Sequence, residues 1–94
     1  MKVLIAYDVA TATREGQRRL RRVAQACQDY GQRVQKSVFE CDVGATQWVM
    51  LKVRLLEEIN PQEDSLRVYY LDDDTRVEHH GAHVPVDLGG PLVV

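Results

Sequence analysis

Cysteine is scarce in this chain: Cys27 and Cys41 are the only two among 94 residues. They have neither the dense, even spacing of a disulfide framework nor the paired spacing of a zinc site. Cys27 falls on the apolar stripe of a predicted helix, and Cys41 alternates with Phe39 and Val43, so both read as buried, reduced core residues. No run approaches the roughly 20 apolar residues that a membrane helix needs. Asp8 interrupts the opening apolar segment too early for a secretory signal, which predicts a cytoplasmic protein with no membrane partner. A P-loop and a glycine-rich dinucleotide fingerprint are both missing. No internal repeat or low-complexity tract divides the chain, and its length fits one domain.

What is present is ordinary in amount and uneven in placement. Apolar residues make up 45% and charged residues 28%, as in a globular protein. A domain this small buries a limited core, so self-association is a natural source of further stability. The net charge of −2 conceals a split. Residues 1–36 hold eight Lys/Arg against three acids, while the remainder holds four against eleven. A basic half points to an anionic partner.

Alternation and periodicity give the elements. Lys2 to Val9 reads as a strand with Val3, Ile5 and Tyr7 on one face and Leu4, Ala6 and Asp8 on the other. Both faces are apolar up to Asp8, which predicts a central strand covered on both sides. Thr11 or Thr13 is available to cap a helix that runs to about Tyr30, with Leu20, Val23, Ala24, Cys27 and Tyr30 as its buried stripe. Gly31 stands in the usual helix-terminating position. Arg33 to Val43 is extended, with a bend near Lys36-Ser37 that splits it into two strands. Ala45 to Asn60 is a second amphipathic helix on Trp48, Leu51, Leu55 and Ile59, widened by Val49, Lys52 and Leu56. Asn60-Pro61 ends it, because the residue before proline avoids the helical region. Ser65 to Leu71 is a further strand.

The order strand, helix, two strands, helix, strand predicts an α+β, ferredoxin-like β-α-β-β-α-β domain over residues 1–71, with both helices on one face of the sheet. The other face lacks a cover, and a two-fold copy of the chain is the commonest solution, so a homodimer is expected. Residues 72–94 differ in kind. Asp72-Asp73-Asp74 reads as a solvated turn, Arg76 to His80 as one short strand, and Val84-Val86-Leu88 alternates. This arm is expected to add an edge strand at the dimer interface.

Asp8 is the most informative residue. A carboxylate at the end of a central apolar strand is costly to bury unless paired or bound to metal. It suits either a turn-capping role or a ligand for Mg²⁺ or Mn²⁺. Mg²⁺ takes one or two carboxylates, keeps several waters, and completes its shell with substrate phosphate. A dimer axis near the strand end would supply a second Asp8, and the shared metal would polarise a phosphoryl oxygen and acidify a bound water. The second feature is a group of five arginines in nine positions: Arg14, Arg18, Arg19, Arg21 and Arg22. Only Glu15 lies nearby in sequence to offset them. Such a face is either solvated surface or a binder of a nucleic-acid backbone, since Arg holds phosphate through two parallel hydrogen bonds. No base-reading motif accompanies it, so weak sequence preference is expected. His79, His80 and His83 have no zinc-ligand spacing around them, and Ser37 has no partner for a nucleophile pair.

These residues carry a resemblance. Tyr7-Asp8-Val9 closes the first strand, Arg14 opens the first helix, and Gly31-Gln32-Arg33-Val34-Gln35-Lys36-Ser37-Val38-Phe39-Glu40 follows it. Over residues 1–71 the chain resembles the small CRISPR-associated endonuclease family, the second of the two widespread CRISPR adaptation proteins. The resemblance implies a ferredoxin-like homodimer whose C-terminal arm joins the sheet. It implies a divalent metal between two copies of Asp8 and metal-dependent cleavage of phosphodiester bonds in RNA or DNA during spacer acquisition. It also implies a bridging role, in which the dimer joins copies of the adaptation integrase and holds the DNA to be inserted. By position, Asp8 corresponds to the catalytic metal ligand, and Tyr7, Arg14, Arg33 and Phe39 to residues near the nucleic-acid site. Arg18 corresponds loosely to a basic position further along the helix. The turn after Asp8 lacks the second acid or lysine that some members carry. A non-catalytic scaffold between integrase and DNA is the alternative, and an unrelated ferredoxin-like ligand-binding or regulatory module is a third reading.

Overall fold

The structure is a computed structural model that describes residues 1–81. The elements are β1 (Lys2–Asp8), α1 (Arg14–Tyr30), β2 (Gln32–Gln35), β3 (Val38–Asp42), α2 (Ala45–Glu58) and β4 (Ser65–Leu71). The strands form one antiparallel sheet in the order β2-β3-β1-β4, the ferredoxin-like arrangement. β1 is central, as its apolar run demands, with Ile5 opposite Phe39 on one side and Val68 on the other. The bend at Lys36-Ser37 separates β2 from β3, and Ser37 O accepts a hydrogen bond from Tyr7 N at 3.0 Å, carrying the pairing to the end of β1.

The core lies between the sheet and the two helices. Val3, Ile5, Tyr7, Phe39 and Cys41 from the strands meet Val23, Ala26 and Cys27 from α1 and Trp48, Leu51 and Leu55 from α2. Both thiols are buried and reduced; burial pushes Cys27 up to about 12 and Cys41 up to about 11, which leaves them inert as nucleophiles. Thr13, of the two threonines considered, is the N-cap: its Oγ1 accepts from Gly16 N at 3.0 Å.

Several expectations are corrected. β1 is covered on one face only: Leu4 and Ala6 remain half-buried. The stripe of α1 turns slightly, so Ala26 is buried while Leu20, Ala24 and Tyr30 pack at its margin. Gly31 ends α1 where the sequence places the stop, its N–H donating to Cys27 O at 2.8 Å. Its backbone is extended, with φ −154°. It is needed because a Cβ there would collide with Cys41 Sγ and the carbonyl of Glu40, where α1 turns directly into the sheet. The stripe of α2 is narrower than expected, since Val49 and Leu56 are 59% and 53% exposed on its outer side. α2 stops two residues earlier, and Ile59 closes it through Ile59 N→Leu55 O at 3.2 Å. Arg76 to His80 is not a strand; one bridging residue, Glu78, is all that pairs there. The remainder of the expected arm, including His83 and Val84-Val86-Leu88, lies outside the described residues. No helix among the described residues is long and apolar enough to cross a membrane.

Candidate active site

Alternation along β1 sends Tyr7 and Asp8 to opposite faces, and this divides the expected site residues into two groups. Asp8 is exposed and sits opposite Ser65 of β4, on the face that the helices leave open. Among the described residues no hydrogen-bond donor or cation contacts its carboxylate. It opens onto a shallow pocket of about 300 Å³ whose lining includes Ala6, Asp8, Ser65, Arg67 and Tyr69. Ala6 and Arg67 are direct partners across β1 and β4. Arg67 Nη1 donates to Tyr69 Oη at 3.4 Å. Arg67 and Tyr69 escaped the sequence reading because their proximity to Asp8 depends on the β1–β4 register, a pairing across about sixty residues of chain.

Tyr7 and Phe39 lie on the covered face, 5% and 0% exposed. Their rings are stacked with centroids 6.2 Å apart, and the Arg33 guanidinium lies 5.1 Å from the Phe39 ring centre. Burial raises the Tyr7 phenol above its ordinary range, reinforced by Cys27 and opposed by the Arg33 charge, so it stays protonated. Tyr7 Oη donates to Lys36 O at 3.4 Å and fixes the β2–β3 turn. From these positions Tyr7 and Phe39 present little surface to a polymer. They seat Arg33, which is exposed.

The arginines of α1 separate as well. Arg14, Arg18 and Arg21 are exposed, and no carboxylate pairs with them among the described residues. Arg19 is taken out of the expected phosphate-binding face: Nε lies 2.9 Å from Asp64 Oδ2, and Nη2 lies 3.1 Å from Glu63 Oε2. Arg22 approaches Glu58 at 3.7 Å. The offsetting acids come from the end of α2 and the turn after it, far away in sequence. Asp64 also accepts from Ala10 N at 3.0 Å and Asn60 N at 2.8 Å, and its side chain is fully enclosed. Burial raises its pKa, but the hydrogen bonds from Arg19 and the two backbone N–H groups outweigh this and hold the carboxyl below its usual range. Gly16 lets α1 approach the same loop, since a Cβ there would collide with the carbonyl of Ala10. The loop after Asp8 is therefore pinned to the segment before Ser65, its cross-strand partner.

Among the described residues the carboxylate that this pocket offers a metal is Asp8. No group of three or more His, Cys, Asp or Glu residues converges among the described residues. An exposed carboxylate suits Mg²⁺, which accepts so small a protein contribution when phosphate and water complete the shell.

The comparisons with known proteins agree with this architecture. The family model described as CRISPR associated protein Cas2 matches residues 1–78. The CRISPR-associated endoribonuclease Cas2 of Chlorobaculum tepidum is 56% identical over 96 residues, covering 100% of both chains. The CRISPR-associated endonuclease Cas2 of Halalkalibacterium halodurans is 54% identical over 95 residues and 99% of each chain. The crystal structure of Streptococcus pyogenes Cas2 at pH 6.5 superposes with a TM-score of 0.76 at 51% identity, over 86% of this chain and 100% of that one. Matched along its length in sequence and across its fold in structure, the chain belongs to the CRISPR-associated Cas2 family.

Proposed function

We propose that this protein is a CRISPR adaptation protein: a homodimeric endonuclease that hydrolyses phosphodiester bonds in RNA or DNA, with Asp8 from each copy holding Mg²⁺ or Mn²⁺. The carrying observation is the Asp8 carboxylate, unpaired at the end of β1 and directed to the open face of the sheet. Unpaired acids at the end of a central strand are rarely retained for stability, and two-fold pairing of the open faces would bring two of them together. The relatives named as endoribonuclease and endonuclease support the reaction class.

The bound metal would stabilise charge on the phosphoryl group and supply an activated water. The chain's own residues do the rest. Asp8 binds the cation, and the pinned loop behind it fixes its direction. Arg14, Arg18 and Arg33 are exposed cations that attract and orient the polymer backbone. Nucleic acid and the adaptation integrase are its partners in the cytoplasm.

Asp8→Asn keeps the size and polarity of the side chain and removes the charge. It is expected to abolish Mg²⁺-dependent cleavage of labelled RNA and DNA oligonucleotides, leaving circular dichroism and sedimentation unchanged. Full cleavage by a properly folded Asp8→Asn protein refutes the assignment of Asp8 as the metal-holding carboxylate, and no cleavage by the parent protein refutes the nuclease reading.

A further inference from the structure

α2 carries more apolar side chains than the core uses. Trp48, Leu51 and Leu55 are buried, yet Val49, Met50, Val53 and Leu56 are each at least half exposed. Thr46, Val49, Val53 and Leu56 follow one another at spacings of three, four and three. At helical periodicity they form one seam almost opposite the buried stripe. A contiguous apolar seam of this kind marks a contact surface, unlike apolar residues exposed singly. The open face of the sheet points away from α2, so the two-fold pairing proposed there leaves the seam outside.

The charges of α2 indicate what fits the seam. Arg54 reaches Asp29 of α1 at 2.8 Å, and Glu58 lies 3.7 Å from Arg22. Lys52 and Glu57 have no ion-pair partner among the described residues. They are five positions apart and border the seam on opposite sides. When two parallel helices pack knobs into holes, seam positions are a and d, and a g residue of one helix meets the e residue five positions on in the other. α2 matches this pattern: Thr46 and Val53 stand at a, Val49 and Leu56 at d, Lys52 at g and Glu57 at e. β-branched residues at a with leucine at d favour two strands. Two-fold packing would set Lys52 of each copy against Glu57 of the other, whereas antiparallel packing would set each flank against its own kind. We propose that α2 is a second self-association surface, through which dimers joined at the open sheet face meet a further copy by parallel packing of α2 on α2. α2 spans only two heptads, and its seam is smaller than the roughly 800 Å² per partner of a stable interface. The contact is therefore weak and joins dimers that already exist. It needs nothing from Asp8 or its metal.

The test is sedimentation velocity on the full chain, in a concentration series reaching about 1 mM, where even weak contacts register. The parent is expected to pass from dimer to tetramer and larger species. Val53→Lys puts a charge into the seam and is expected to abolish that rise while the dimer and its circular dichroism stay unchanged. Lys52→Glu and Glu57→Lys are each expected to weaken the higher association by about 5-fold, the worth of two surface ion pairs, and by less at high salt. The double variant Lys52→Glu/Glu57→Lys is expected to restore it. Those two side chains lie on opposite flanks of one helix, so only contact between copies gives that rescue. Val53→Cys is expected to join copies through a disulfide at position 53 on air oxidation, because equal seam positions meet in a parallel pair. A parent that remains a dimer throughout the series overturns the proposal. So does higher association that survives Val53→Lys, which places it on another face. Single charge variants that weaken association without rescue in the double variant overturn the parallel α2 pairing. If the parent shows no higher species and Val53→Lys loosens the dimer itself, the chain's own C-terminal residues cover the seam and the proposal falls. Should Val53→Lys fail to fold, the charge reversals carry the same decision.

Discussion

The two faces of the sheet come from the same strands by the same alternation, and they differ in what they leave in water. On the covered face Val3, Ile5, Phe39 and Cys41 are removed from solvent almost completely. On the open face Leu4, Ala6 and Val38 are half-buried, and Asp8, Arg67 and Tyr69 stand among them exposed. The covered face tolerates no charge because nothing there would solvate it. The open face keeps charges of both signs within one residue of the core. A single-residue step along β1, from Tyr7 to Asp8, crosses from one regime to the other. Stability and chemistry are thus separated by the pleat of the strand rather than by distance along the chain.

Substitutions that break this contrast should differ most in size. Phe39→Ala, on the covered face, is expected to cost about 3–5 kcal/mol in urea unfolding. Leu4→Ser, on the open face, is expected to change monomer unfolding by less than about 1 kcal/mol and to weaken self-association in sedimentation velocity. If Leu4→Ser unfolds the chain as readily as Phe39→Ala, the two faces are not distinct. Next in size is the clamp behind the site. Asp64→Ala leaves Arg19 and two backbone N–H groups without their acceptor and is expected to cost about 3 kcal/mol. The sign with pH follows from the depressed carboxyl of Asp64. Its contribution is fully present above the ordinary carboxylate value of about 3.9 and is lost as pH falls through its lower folded-state value. The stability gap between the parent and Asp64→Asn should therefore stay constant from neutral pH to about pH 4 and close below it.

Smaller effects sharpen the edges of the picture. Tyr70 belongs to the covered face by register, yet it is 61% exposed, because β4 is an edge strand; the Trp48 ring meets it edge to face at 5.8 Å. Tyr70→Ala is expected to cost about 1 kcal/mol, well below Phe39→Ala. The Arg22–Glu58 pair lies at the surface, and Arg22→Ala should move stability by no more than about 0.5 kcal/mol.

Much of this was legible in the sequence because local rules agree. Period-two alternation bounded by turn residues marks β4 from Ser65 to Leu71, and the Lys36-Ser37 bend divides β2 from β3. Asp8 is conspicuous because it is the one acid on an otherwise apolar strand. What stayed hidden depends on pairings between distant segments. Arg19 looks like its neighbours until the turn after α2 brings Asp64 beneath it. Arg67 looks like an ordinary outward strand residue until the β1–β4 register sets it opposite Ala6. Gly31 has the right place for a helix cap, but the close approach of β3, not local helix geometry, is what requires glycine there. The width of the α2 stripe was overestimated because hydrophobicity at Val49 and Leu56 does not tell which side of a helix meets the sheet.

The Asp64 clamp also governs how the chain tolerates changes of length. Surface turns between elements ordinarily absorb insertions with little effect. The turn between α2 and β4 is different, since one carboxylate there ties together the backbone at Ala10 and Asn60 and the side chain of Arg19. An added residue between Asn60 and Ser65 would have to break that knot or slide β4 along β1, and a slide by one would carry Arg67 and Tyr69 to the opposite side of the sheet. Length in those few positions is a constraint as strict as any side chain in the pocket.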